Sequence, residues 1–227
     1  SSCSEKIATL IVPMVNTPND LLFVETLIKQ LATKHSSAAE IGIEGLIETV
    51  EGLSDVDQIA RSSERLEALI LGMGDYAASQ RMRINTIGEV SSEAGDIWQY
   101  PRYRLIVACH TNGIHPIDGP YADVKDITGL KLDSKRTSLI GMMGKWAIHP
   151  DQIAPITKTF SLGKDIISTA RKQKTAYEKG LSEGLGSVLV DGVMVDAANA
   201  KTIDELLALN DLYEQADSLS LEKAEDQ

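Results

Sequence analysis

Leu66-Glu-Ala-Leu-Ile-Leu-Gly-Met-Gly-Asp75 is the stretch that decides how the chain is read. Leu66–Leu71 is apolar and strand-sized, and it runs directly into two glycines and an acid, the composition of a strand exit. The same plan precedes it: Gly42-Ile-Glu-Gly-Leu-Ile-Glu-Thr-Val50 is an apolar strand that carries an acid, Glu48, near its end. Between the two lies a helical pattern over about Ser54–Ser63. Working outward, Ile7–Val15 is short, apolar and rich in β-branched residues. It leads through Asn16-Thr-Pro-Asn-Asp20, which is loop and N-cap chemistry, into a helix over Leu21–Ala32. Downstream, a Ser-, Gly- and Glu-rich loop over about Arg81–Asp96 precedes a helix over Ile97–Thr111, with Pro101 in its first turns. A strand at Ile114–Ile117 exits through Asp118-Gly-Pro-Tyr121, a helix follows over Asp126–Leu139, and a strand over Gly144–Ile148 ends at His149-Pro150.

Strands alternating with helices predict a parallel sheet covered by helices, and in such sheets function gathers at the carboxyl ends of the strands. The polar residues Glu48, Asp75, Asp118 and His149 fall at those ends. After Pro150 the rhythm changes to a charged helix over about Gly163–Lys179 and a Gly-rich segment over Gly180–Gly186. Ser187–Val190 and Val193–Val195 then flank Asp191-Gly192, a strong hairpin signal, before a last helix over Ala197–Leu212. The predicted organisation is a barrel-type unit over residues 1–162 and a helical and hairpin appendage over 163–227.

Composition narrows the function classes. The 227 residues are 43% apolar with a net charge of −11, which disfavours nucleic-acid and anionic-membrane surfaces because both need basic patches. No apolar run approaches the roughly 18–20 residues that span a bilayer. Cys3 and Cys109 have no metal or redox spacing, which points to reduced thiols in a cytoplasmic compartment, with a disulfide as the lesser alternative. The N-terminus has no signal-peptide pattern, while an organelle address stays open.

Glu48 and Asp75 are one βα unit apart. Neighbouring strands lie about 4.8 Å apart, so the two carboxylates are able to share a hard cation such as Mg²⁺, which takes one or two carboxylates and completes its shell with water and substrate oxygens. Spacing alone leaves an equal alternative, in which Glu48 caps the next helix and Asp75 pairs with Arg81 or Arg83. A lone His149 is more often packed than catalytic, and Trp146 and Tyr121 suit a wall or core. Asp118 before Gly-Pro suits a turn, an outer-shell acceptor or, least often, a metal ligand.

Four blocks in order carry a resemblance: Ile47-Glu-Thr-Val-Glu-Gly52, Gly72-Met-Gly-Asp-Tyr-Ala77, Pro116-Ile-Asp-Gly-Pro-Tyr121 and Gly144-Lys-Trp-Ala-Ile-His-Pro150. Over about residues 7–213 the chain resembles the citrate lyase β-subunit-like group of the HpcH/HpaI aldolase superfamily. Within that group, Gly95-Asp-Ile-Trp-Gln-Tyr100 and the Pro116–Tyr121 block look closest to the L-malyl-CoA/β-methylmalyl-CoA lyases. The resemblance implies a (β/α)₈ TIM barrel and reversible Mg²⁺-dependent Claisen-type cleavage, with Mn²⁺ as a substitute. The products would be glyoxylate and acetyl-CoA or propionyl-CoA. It puts the metal on Glu48 and Asp75, substrate against Gly74, Asp75, Ile148 and His149, and the catalytic acid/base on Asp196. That last acid comes from a neighbouring subunit of a homo-oligomer, a trimer or hexamer. Read without the resemblance, Asp196 before Ala197 is a helix N-cap. Citryl-CoA or citramalyl-CoA cleavage on the same scaffold is the nearest alternative, and a non-catalytic partial-barrel subunit is the other.

A full barrel needs about 250 residues and eight strands, whereas five strands precede the appendage here. The first three βα units, with the arginine that grips the substrate carboxylate and part of the CoA site, have no counterpart. The missing Met and abrupt start favour a sequence that begins inside a longer protein. A genuine partial barrel completed by another chain is the other possibility, and in either case the polypeptide alone is expected to be poorly soluble or inactive. Met82 and Ile84 depart from the malyl-CoA branch and leave the acyl preference open.

Overall fold

The computed structural model describes residues 7–35, 38, 40–84, 86–88 and 95–225, with side chains to residue 214. Cys3 and part of the Arg81–Asp96 loop lie outside the described residues. The chain divides into two compact units, Ser1–Phe160 and Ser161–Gln227.

The first unit is built from β1 (Thr9–Val12), α1 (Pro18–Ala32), β2 (Gly42–Ile47), α2 (Val50–Ser54), α3 (Val56–Ile59) and β3 (Leu66–Leu71). It continues through α4 (Met73–Ser79), α5 (Gln99–Asn112), β4 (His115–Asp118), α6 (Ile127–Leu139), β5 (Gly144–Lys145) and α7 (Pro150–Phe160). The sheet order is β1-β2-β3-β4-β5 and every pairing is parallel. A doubly wound sheet reverses its strand order part-way. This one does not, so it is an arc of a barrel. The fold is α/β, with a five-stranded, partial TIM-barrel-like core and a C-terminal helical extension.

Register assigns the two faces of the sheet. Ile43, Ile47, Leu69 and Leu71 are buried in one cluster with Leu21, Ile28, Val56, Ile59, Leu105 and Cys109 from the helices. Each Leu or Ile so buried contributes about 1.5–3 kcal/mol, which makes the helix side of the sheet the main source of stability. The register Glu44↔Ala68 and Leu46↔Ile70, continued by Ala68↔His115 and Ile70↔Ile117, puts these residues together on the opposite face. Cys109 is a free thiol on the helix side, and burial pushes it up to about 12.

The elements differ from the sequence expectation where backbone chemistry intervenes. The strand expected over Ile7–Val15 stops at Val12 because Pro13 has no N–H and Met14 has a positive φ of 54°. The strand expected through Val50 ends at Ile47, since Thr49 accepts from the Gly52 N–H at 3.0 Å and starts a helix. The helix over Ser54–Ser63 is two short ones, α2 and α3, broken at Asp55. Two helices escaped prediction altogether. Gly72 and Gly74 disguise α4, although Gly72 only precedes it. Pro150 and Pro155 disguise α7, although a proline is tolerated where a helix begins. The last strand covers only Gly144–Lys145, leaving Ile148 and His149 in the turn before α7.

The second unit comprises α8 (Lys164–Ser182), β6 (Val188–Val190), β7 (Val193–Val195) and α9 (Ala197–Glu225). Asp191 (φ 50°) and Gly192 (φ 81°) form the tight turn between β6 and β7, as their pairing predicts. Ala170, Tyr177, Val190, Val195 and Ile203 make its core. No helix among the described residues is long and apolar enough to cross a membrane.

Candidate active site

Parallel pairing of β2 with β3 runs to Ile47↔Leu71, and the Gly72 N–H continues it to the Ile47 carbonyl at 2.9 Å. The next residue on each chain is therefore Glu48 against Gly72. A Cβ at Gly72 would sit 2.4 Å from the Glu48 Cβ and 2.6 Å from its Oε2, so only glycine lets this side chain lie where it does. Glu48 is 6% exposed, and its Oε1 accepts from the Met14 N–H at 2.7 Å. Asp75 stands in the first turn of α4, not on the strand itself, and is exposed. Its charge lies near enough to help raise the Glu48 carboxyl. Burial pushes the Glu48 carboxyl up; the Met14 N–H opposes the rise and the Asp75 carboxylate adds to it.

Two acids forced together in this way repel when both are ionised, and a cation between them removes the penalty. The site therefore fits a hard divalent ion on three observations: the paired oxygens, the glycine cradle behind Glu48, and the backbone N–H that orients one oxygen. Among the described residues no group of three or more His, Cys, Asp or Glu side chains is placed to hold a metal, so water and substrate oxygens would complete the shell. The alternative assignments fail locally. Thr49, not Glu48, caps α2, and among the described residues no ion pair joins Asp75 to Arg81 or Arg83.

The other expected residues separate into two groups. Gly74 is half-buried beside Asp75 in α4. Ile148 and His149 are exposed before α7; the Ile148 N–H donates to Gln152 Oε1 at 2.9 Å, and His149 Nδ1 accepts from the Asp151 N–H at 3.2 Å. Asp196 belongs to the second unit and caps α9, its Oδ1 accepting from the Ala198 and Asn199 N–H groups at 2.9 and 3.0 Å.

Asp118 requires a correction. It is neither a simple turn residue nor available to a metal. It is fully buried on the helix side of the sheet, where Arg102 Nε and Nη2 reach it at 3.0 and 3.1 Å and Lys145 Nζ at 2.5 Å. Asp133 accepts from the same two cations, at 3.0 Å from Arg102 Nη2 and 2.7 Å from Lys145 Nζ. Burial alone would push the Asp118 carboxyl up, but Lys145 and Arg102 outweigh it and hold the carboxyl below its usual range. Two cations thus balance two anions, and Asp96 approaches Arg102 from the less buried side.

Sequence reading missed Arg102, Asp133, Lys145 and Gln152. A signal existed for the first two. Arg102 shares the buried face of α5 with Leu105, Ile106 and Cys109, and Asp133 shares that of α6 with Leu130 and Thr137, so each is a charge on a buried helix face. Gln152 carried none. It is fully buried and bridges the loops after β4 and β5, donating to the Tyr121 carbonyl at 2.8 Å while it accepts from Ile148. Tyr121 is wall, its hydroxyl donating to Asp126 at 2.8 Å; burial first and then Asp126 push it up to about 12.

Known proteins share this arrangement of elements. Residues 3–150 match the HpcH/HpaI aldolase/citrate lyase family. The chain is 33% identical over 214 residues to the L-malyl-CoA/β-methylmalyl-CoA lyase of Rhodobacter capsulatus, covering 90% of this chain and 67% of that protein. A citrate lyase structure from Burkholderia xenovorans has a TM-score of 0.78 at 21% identity, covering 91% of this chain and 64% of the other. CitE from Mycobacterium tuberculosis, in complex with magnesium, acetoacetate and coenzyme A, gives 0.67 at 19% identity, over 89% and 68%. These two structures speak to the fold, and the chain spans about two thirds of the length of each relative. The chain belongs to the HpcH/HpaI aldolase/citrate lyase family of carbon–carbon lyases.

Proposed function

We propose that this chain carries the cation-binding half of an acyl-CoA carbon–carbon lyase. Its substrate would be L-malyl-CoA or β-methylmalyl-CoA, cleaved to glyoxylate and acetyl-CoA or propionyl-CoA. The observation that carries the reading is Glu48 seated against Gly72 just past the paired ends of β2 and β3, with the Asp75 charge from the first turn of α4 acting on it. The 33% identical relative supports the substrate class. Glu48 and Asp75 would hold magnesium, or manganese in its place, which would supply Lewis-acid polarisation of the glyoxylate carbonyl.

The chain's own groups then have defined tasks. Glu48 is held by the Met14 N–H, so its carboxylate does not rotate as substrate enters. Gly74 presents backbone without a side chain beside Asp75. His149 is held at Nδ1 by the Asp151 N–H and would offer its other ring nitrogen to a substrate oxygen. Ile148 is fixed by Gln152 and meets the ligand with an exposed apolar side chain. In the cleavage direction the substrate hydroxyl loses a proton as the carbon–carbon bond breaks, and the acyl α-carbon gains one. Asp196 is assigned that exchange from a neighbouring subunit of a homo-oligomer; its N-cap bonds both use Oδ1.

The test is metal-dependent glyoxylate release from L-malyl-CoA by the longest natural form of the protein, against Glu48→Ala and Asp75→Ala. Loss of about 10²-fold or more in each variant is expected. Undiminished turnover in both variants refutes the site. Citryl-CoA and citramalyl-CoA in parallel settle the acyl preference.

A further inference from the structure

Three described residues other than glycine have positive φ: Met14 (54°), Arg81 (59°) and Asp191 (50°). Two have ordinary reasons. Asp191 shares the hairpin turn with Gly192, and Arg81 lies just past α4, where a left-handed residue commonly ends a helix. Met14 stands in neither setting. It lies in the loop from β1 to α1, its side chain is half-exposed, and an unbranched side chain gains nothing from this backbone conformation.

What the conformation accomplishes is visible in its hydrogen bonds. Consecutive N–H groups of a regular strand point to opposite sides. Here both turn toward the β2 chain: Met14 donates to Glu48 Oε1 at 2.7 Å and Val15 to the Leu46 carbonyl at 3.1 Å. The loop is also clasped to the residues that follow Glu48. Thr49 Oγ1 donates to Asn16 Oδ1, and the Val15 carbonyl lies where a Cβ on Gly52 would come within 2.3 Å. Oε1 of Glu48 is thereby committed, and Oε2 over Gly72 is left for a ligand.

We infer that Met14 is a positioning residue for Glu48, its left-handed backbone fixing the carboxylate as a one-oxygen ligand for a divalent cation. This rests on reading Glu48 and Asp75 as the cation site. It assigns the role to the backbone of Met14 and none to its side chain.

The experiment is Mn²⁺ titration of the longest natural form of the protein by calorimetry, with free Mn²⁺ followed by electron paramagnetic resonance, for wild type, Glu48→Gln, Met14→Gly, Met14→Asn and Met14→Val. Circular dichroism and Tm confirm the fold of each. Gly and Asn accept a left-handed backbone and keep the N–H, whereas a β-branched residue resists it. The Gly and Asn variants should bind within about two-fold of wild type and the Val variant about five- to ten-fold more weakly. Wild-type affinity in Met14→Val overturns the inference, as does equal loss in all three, which would give the role to the side chain. Mn²⁺ binding that is lost in Glu48→Gln yet unchanged across the Met14 series refutes the positioning role alone. Absence of Mn²⁺ binding by wild type refutes the cation site and this inference with it. If valine prevents folding, Met14→Thr, β-branched but polar, takes its place: weaker binding than in the Gly and Asn variants supports the role, and equal affinity overturns it.

Discussion

Lys145→Met probes the buried ion network directly. Lys145 Nζ lies 2.5 Å from Asp118 Oδ2 and 2.7 Å from Asp133 Oδ2, with its side chain and that of Asp118 fully buried and that of Asp133 nearly so. Methionine keeps most of the stem and its packing while deleting the charge, so two buried carboxylates face the single guanidinium of Arg102. Removing one partner from a buried pair costs about 3–5 kcal/mol, a large share of the roughly 5–15 kcal/mol that holds a domain together. With a urea slope of about 1–3 kcal/mol/M, the midpoint falls by at least about 1 M. Adding Asp133→Asn returns the charge balance to zero and should recover about 1–2 kcal/mol of the loss. Both tryptophans, Trp98 and Trp146, lie in the first unit, so their fluorescence in urea follows the transition that matters. The sign with pH is also fixed. Asp118 has a depressed folded-state pKa, so its contribution is fully present above the unfolded value near 4 and is lost as pH falls through the folded value. The gap between wild type and Lys145→Met should therefore be constant from about pH 5 to 8 and narrow in acid. A cost below about 1 kcal/mol, or strict additivity with Asp133→Asn, would falsify the view that the four charges act as one unit.

Two further outcomes follow from the geometry of the acid pair. Gly72→Ala puts a methyl 2.4 Å from the Glu48 Cβ; Glu48 has to swing aside, at a cost of about 1–3 kcal/mol in stability and with loss of Mn²⁺ binding in calorimetry. A variant that binds the ion normally would show the cradle to be dispensable. Glu48→Gln should raise the Tm of the metal-free protein near neutral pH while abolishing Mn²⁺ binding. Because the folded carboxyl pKa is raised, ionised Glu48 costs stability as pH rises from its unfolded value through its folded one, and glutamine has no such charge. Thermal melts at several pH values check this: an unchanged or lower Tm at neutral pH, with an unaltered fold, removes the repulsion from the account.

Apolar runs with glycine and acid at their exits were enough to locate the strands. Leu66–Leu71 was bounded correctly from sequence because five of its six residues are buried, with only Glu67 exposed, and the run ends in glycine. The strand ends at Val12, Ile47 and Lys145 were overrun, since residues compatible with a strand continue past each point where pairing stops. What stops it is Pro13 with the left-handed Met14, the Thr49 cap, and the turn held by Gln152. Local pattern contains none of these tertiary ties. Prolines and glycines hid α4 and α7 for a related reason: the same residues break a helix interior and begin a helix, and the rest of the fold selects which.

Chain order and side-chain period alone set the parallel α/β plan and put Glu48 and Asp75 one βα unit apart. The setting of Glu48 came from tertiary packing. That required the β2–β3 register to bring Gly72 under Glu48, and the β1–α1 loop to turn an N–H onto it. It also decided against Asp118 as a ligand, for its partners Arg102, Asp133 and Lys145 come from three other elements. A residue's charge is written in the sequence, whereas the partner that claims it is set by which elements the fold packs together.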